Sequence, residues 1–246
     1  MTRIRFAAVP ALLLLVVSLP LFAEDELSVD LKFVPQEMVD ASAPALAPSV
    51  LERSIRLVVE DARGGDPWSI GEGTDDDDET FPIVAATDVL PWLDATVREV
   101  ADDWEVRTSR KAARVLTLRL TRFAVEESNK PLGSTYAAEV KLAFRLEEGG
   151  RTLAEGAASG DAHRYGRSRS ADNCNEVLSD ALKEALAEAF SHPRLQRAWA
   201  SGRAAVDEQP AGSIEQRLKR LDDLRRKGLI TEEEYDAKRA EILKEL

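Results

Sequence analysis

Two central stretches of the chain alternate strictly between apolar and polar residues. Between Arg114 and Phe123, Leu116, Leu118 and Leu120 alternate with Thr117, Arg119 and Thr121. Between Ala138 and Leu146, Val140, Leu142, Phe144 and Leu146 alternate with Glu139, Lys141, Ala143 and Arg145. A period of two sends one set of side chains into a core and the other into water, which predicts antiparallel strands covered on one face. Asn129 to Ser134, rich in turn formers, joins them as a hairpin. Glu148-Gly149-Gly150 then turns into a third strand, Arg151 to Ala157, whose small residues continue to Ala158 and Gly160 and leave room for an element packed close above.

The period becomes helical on either side of this meander. Leu90, Leu93, Val97, Val100, Ala101 and Trp104 form one apolar stripe, with Thr87 as the expected N-cap and Pro91 early enough to be tolerated. A second helix is expected from Asp172 or Asn173. Its buried face is Val177, Leu178, Ala181, Leu182, Ala185, Leu186, Ala189 and Phe190, it breaks at His192-Pro193, and Leu195 and Trp199 add a last turn. Upstream, Ser54 to Asp61 reads as a strand ending in the turn Ala62 to Pro67. A polar loop with Gly71, Gly73 and Asp75-Asp76-Asp77-Asp78-Glu79 follows, then a brief strand at Phe81 to Val84. Residues 24–53, punctuated by Pro35, Pro44 and Pro48, read as a loose lead-in with a short edge strand around Leu31, Phe33 and Val34. The fold class that follows is α+β: an antiparallel sheet with two helices packed on one face.

Residues 200–212, with Gly202, Pro210 and Gly212, read as a flexible linker. The last 34 residues, 213–246, form a two-helix hairpin by pattern. Ser213 caps a helix with apolar Ile214, Leu218, Leu221 and Leu224, and Gly228 ends it behind Arg225, Arg226 and Lys227. Leu229 and Ile230 stay apolar through the turn, Thr231 and Glu234 make a capping box, and Tyr235, Ala237, Ile242, Leu243 and Leu246 supply the second stripe. Leu221 to Tyr235, with Leu-x-x-Leu followed by Lys-Gly-Leu-Ile-Thr-x-x-Glu-Tyr, resembles the SHOCT domain. That resemblance implies an oligomerisation or interaction role, with Leu218, Leu221, Leu224, Leu229, Ile230, Tyr235 and Ile242 as the expected contact residues. The body, residues 54–199, resembles the YajG lipoprotein family of bacterial envelope proteins. The resemblance rests on Val58-Val59-Glu60-Asp61-Ala62-Arg63, the helix before the central pair, and Asn175-Glu176-Val177-Leu178-Ser179-Asp180-Ala181-Leu182. It implies a small envelope domain without an established activity.

The first residues agree with that setting. Arg3 and Arg5 precede an apolar run from Phe6 to Phe22, and Ala23 stands before Glu24-Asp25-Glu26, so residues 1–23 read as a signal peptide cleaved after Ala23. An uncleaved N-terminal membrane anchor is the alternative, and Pro10 and Pro20 speak against it. The single cysteine, Cys174, lies far from that junction, so neither a lipid anchor nor a disulfide is expected. The chain carries 45 acidic and 33 basic side chains, a net charge of −12, which disfavours nucleic acid as a partner. The tail's acids and bases balance.

Little in the sequence points to catalysis. His163 and His192 are the only histidines and lie in different segments, far from any Gly-x-Ser-x-Gly. A Cys174–His163 pair is conceivable at a helix N-terminus, though Asp172 and Glu176 oppose a thiolate there. Zinc would need more soft or imidazole ligands than exist, and the acidic run lacks the spacing and glycine of a calcium loop. Neither a catalytic residue, a metal nor a cofactor is expected. The reading is a non-enzymatic periplasmic or secreted protein whose tail associates with itself or another envelope protein. The alternative makes the α+β body an accessory of an envelope ABC-type lipid transport system, in which case an apolar groove should open between helix and sheet.

Overall fold

A computed structural model describes residues 26–36, 44 and 46–201, with Leu218, Leu221, Asp222, Arg225, Tyr235, Asp236 and Arg239 of the tail. The signal-peptide segment and the linker from residue 202 onward lie outside the described residues.

Seven strands make one sheet: β1 (Leu27–Val29), β2 (Arg56–Asp61), β3 (Ser69–Thr74), β4 (Thr80–Ala85), β5 (Arg114–Lys130), β6 (Gly133–Glu148) and β7 (Arg151–Gly166). Among the described residues up to Ser201, the helices that accompany them are α1 (Pro48–Leu51), α2 (Val89–Asp103), α3 (Ala171–Ser191) and α4 (Pro193–Ser201). β5, β6 and β7 pair antiparallel in chain order, as the short connections between them predict. The rest of the sheet corrects the expectation of a purely antiparallel one. β2 and β3 both lie parallel to β5, along its first and second halves, and β1 lies parallel to β4. Alternation reports which face a strand buries but not the direction of its neighbour.

The central hairpin is longer than its apolar core suggested. Ser128, Asn129 and Lys130 continue the β5 ladder opposite Thr135, Ser134 and Gly133, so the turn shrinks to Pro131-Leu132. A register shift between Leu120 and Arg122 returns Phe123 to the buried side. The stretch read as a polar loop contains β3. Its two glycines explain the misreading, because they accept neighbours where side chains would announce a strand. A Cβ on Gly71 would lie 1.9 Å from the Val125 carbonyl oxygen, and one on Gly73 would lie 2.2 Å from the Phe81 ring.

The buried side chains of β5 and β6, including Leu116, Leu118, Leu120, Val140, Leu142 and Leu146, face a helical layer. α2 brings Val89, Leu93, Val97, Val100 and Ala101, and α3 brings Val177 through Phe190, into the same core. Trp104 meets Phe190 edge-on at 5.7 Å, joining the two helices on that face. The α2 N-cap is Asp88, whose carboxylate accepts from Leu90 N, and not Thr87. α3 starts at Ser170, whose hydroxyl accepts from Asn173 N. Gly160 lets α3 approach β7, since a Cβ there would come within 2.1 Å of the Ala181 carbonyl oxygen.

The β1 and β7 edges are protected. β1 is only three residues long. Along β7, Ser159 N and Asp161 N donate to Glu188 and Glu184 of α3 at 2.6 and 2.9 Å, and Arg164 pairs with Glu176. The Val58 to Arg63 motif also has a structural use. Arg63 grips the Asp61 carboxylate and reaches the carbonyls of Pro67 and Ser69, pinning the turn into β3 and holding the Asp61 carboxyl below its ordinary range.

The lead-in is more ordered than its prolines suggested. β1 lies at Leu27–Val29 rather than around Leu31, and residues 31–36 run extended along α3. Lys32 N donates to Asn175 Oδ1 (2.8 Å), Val34 N to Ser179 Oγ (3.2 Å) and Gln36 N to Asp180 Oδ1 (2.7 Å), while Ser179 Oγ donates to Lys32 O. Asn175, Ser179 and Asp180 are buried, so each backbone partner removes the cost of a polar group out of water.

Candidate functional site

The described tail residues are helical, and they bring the two halves of the hairpin together at one point. Leu221 packs on Tyr235, with Leu218 against them, in a cluster separate from the body's core. The Tyr235 hydroxyl donates to Asp222 Oδ1 at 2.7 Å, and the Arg225 guanidinium lies 4.2 Å from the Tyr235 ring centroid. Leu224, Leu229, Ile230 and Ile242, and the capping box at Thr231, lie outside the described residues.

In the body, the sheet face opposite the helices carries a shallow groove of about 500 Å³. Arg122, Glu126, Glu139, Asp161 and His163 line it. Ile70, Phe123 and Val125 line it as well. Glu139 pairs with Arg122 and, at 2.5 Å, with Lys141, whose hydrogen bond is the main reason the Glu139 carboxyl sits below its ordinary range.

The nucleophile–base pair considered from sequence is not assembled. His163 faces the open side of the sheet, whereas Cys174 is enclosed in the core on α3. Burial, with the nearby Glu127 charge, pushes the Cys174 thiol up to about 12, the opposite of an activated thiolate. His192 stacks on Phe144 at 4.9 Å and accepts from Arg194 N. Burial first, then Arg194, lowers its pKa at the α3–α4 junction. Among the described residues no three of His, Cys, Asp and Glu stand close enough to enclose a metal ion directly, and no helix is long and apolar enough to cross a membrane.

One buried acid escaped the sequence reading. Glu127 sits in the polar run Glu126-Glu127-Ser128-Asn129, which resembles a surface turn, yet only 1% of it is exposed. Its Oε1 accepts from Arg169 N at 2.6 Å. The only hint in the sequence was parity: Phe123, Val125 and Glu127 share one strand face. Asn175, Ser179 and Asp180 belong to the sequence motif of α3, and the lead-in is what they hold.

Comparisons with known proteins bear mainly on the tail. No curated protein matches this chain. Among solved structures, the fold is similar to a DUF330-family protein from Xanthomonas campestris, at 15% identity over 72% of this chain and 98% of that one, with a TM-score of 0.45. It is also similar to the PelC dodecamer from Paraburkholderia phytofirmans (17% identity, 63% and 94% covered, TM-score 0.30). A minor lipoprotein from Acinetobacter baumannii gives 10% identity, 58% and 90% covered, and a TM-score of 0.28. At these scores the likenesses carry no functional assignment. Residues 216–243 match the family model of SHOCT, the short C-terminal domain, so the chain ends in a SHOCT domain.

Proposed function

We propose that this is a non-enzymatic protein of the bacterial envelope, exported with cleavage after Ala23, whose C-terminal hairpin mediates oligomerisation or contact with another envelope protein. The SHOCT domain at residues 216–243, closed by Leu221 on Tyr235, is the observation that carries the proposal. A unit of this size falls below the roughly 40 residues at which a domain can bury enough apolar surface alone. Leu218, Leu221, Leu224, Leu229, Ile230, Tyr235 and Ile242 therefore complete their burial against another surface, and a second copy of the hairpin offers a matching one. The YajG-like motifs of the body favour the same setting.

The transport-accessory reading calls for an apolar groove between helix and sheet. That space is filled by the shared core, and the 500 Å³ groove lies on the opposite face of the sheet. This favours the interaction reading. Sedimentation velocity of the mature chain beside Leu221→Asp tests it. The parent should sediment as an oligomer and the variant as a monomer with an unchanged thermal transition of the body. A parent that sediments as a monomer rules out self-association and leaves a different envelope protein as partner.

A further inference from the structure

The β5–β6 hairpin ends in an exposed apolar tip. Its turn, Pro131-Leu132, leaves the Leu132 side chain in solvent at 93% exposure. Tyr165 of β7, also exposed, stands beside it: a Cβ on Gly133, the residue after Leu132, would come 2.9 Å from the Tyr165 hydroxyl oxygen. Lys130 at the end of β5 and Arg167 after β7 flank the pair, both exposed and without an ion pair among the described residues. The ladder holds to its last pair, Lys130 opposite Gly133, so the sheet itself carries the tip outward. One exposed leucine is ordinary. A leucine at a projecting tip, with a tyrosine and two open cations around it, is not.

The N-terminal segment enters the body from the same end. β4 starts at Thr80, beside the acidic loop that Asp76 ties to Asn129 of β5, and runs away from the hairpin tip toward Ala85. β1 lies parallel to it, with Leu27 opposite Ile83, so the chain reaches Leu27 from the hairpin end. Only residues 24–26 separate β1 from Ala23 and the apolar run Phe6 to Phe22. Three extended residues span about 10 Å at most. The other end of the sheet belongs to the tail's point of departure. There Trp199 Nε1 donates to Arg53 O, just before β2, and Arg114 at the start of β5 donates to Trp199 O.

We infer that the hairpin end of the body rests on a phospholipid bilayer, with Leu132 among the acyl chains and Tyr165 at the headgroups. A tyrosine suits that depth because its ring is apolar and its hydroxyl wet. Lys130 and Arg167 reach lipid phosphates while their stems stay with the apolar tip. The acidic loop at this end opposes a strongly anionic surface, so zwitterionic lipid is the fitting one. The contact is superficial, since no described helix is long and apolar enough to cross. The body then stands between the bilayer and the tail. The strength of the contact rests on the self-association proposed above, because one tip holds weakly and an oligomer presents several at once.

Flotation of the mature chain, residues 24–246, with vesicles of equal phosphatidylcholine and phosphatidylethanolamine provides the test. The parent should float with the vesicles, and Leu132→Asp should weaken binding roughly tenfold or more. Leu132 is so exposed that its variant keeps the fold. Trp68→Ala removes an exposed apolar side chain at the other end of β3 and should float like the parent. The contact is overturned if the parent does not float, or if Leu132→Asp and Trp68→Ala float alike. Sedimentation of the same samples without lipid separates this from the tail's role. An oligomer that fails to float overturns the membrane contact alone, and a monomer that floats through Leu132 overturns self-association alone.

Discussion

Phe190 and Trp199 of the body are wholly enclosed, whereas Leu221 and Tyr235, the most enclosed apolar residues described in the tail, each retain 8% exposure and pack with Leu218. The body closes around its own core: two helices seal one sheet face, the lead-in crosses α3, and acidic side chains of α3 cap the β7 edge. The tail's sequence carries the same ingredients, apolar stripes and capping residues, in a shorter stretch. On the proposed reading, stability in one region is internal, and in the other it depends on what the region meets.

The largest expected effect separates the two regions. Trp199→Ala empties a fully buried site and strips Arg53 O of its indole donor, 3.1 Å away. It should destabilise the body by about 3–5 kcal/mol, read from urea unfolding, while the mass in native buffer stays that of the parent. A changed mass would show that the tail's association runs through the body.

Alkali should act on the body next. The Tyr136 hydroxyl and the Cys174 thiol are both raised to about 12, chiefly by burial. Both groups hold their protons more tightly in the folded chain. Their contribution is therefore complete below their ordinary values, near 9 for the thiol and 10 for the phenol, and is lost as pH rises toward 12. Melting temperature should fall over that window, and Cys174→Ala should flatten the first part of the fall. A flat profile would contradict the burial of these groups.

A smaller effect concerns the lead-in. Ser179→Ala removes the donor to Lys32 O and the acceptor of Val34 N, costing about 1–3 kcal/mol, and should expose residues 31–36 to limited proteolysis. Unchanged cleavage would mean the segment does not depend on α3. The smallest is Tyr235→Phe, which deletes the bond to Asp222 and should cost no more than about 1.5 kcal/mol of hairpin stability, leaving the oligomer formed. Loss of the oligomer in Tyr235→Phe would assign the contact to the hydroxyl rather than the apolar stripe.

Periodicity made the helices and the β5–β7 strands legible because each buries a continuous stripe. It failed where side chains were missing or polar. Gly71 and Gly73 hid β3, and Ser128-Asn129-Lys130 looked like a turn while continuing a ladder. Glu127 looked solvated because carboxylates usually are. The parallel pairing of β2 and β3 with β5 was not readable in any single strand. In the tail, Leu221 and Tyr235, both on the expected apolar stripes, pack on one another.

The central claim is that the tail, and not the body, sets the association state. Light scattering of the mature chain, residues 24–246, beside a version ending at Gln209 addresses it directly. The account predicts a defined oligomer for the full chain and a folded monomer for the shortened one. Equal masses for the two would contradict it.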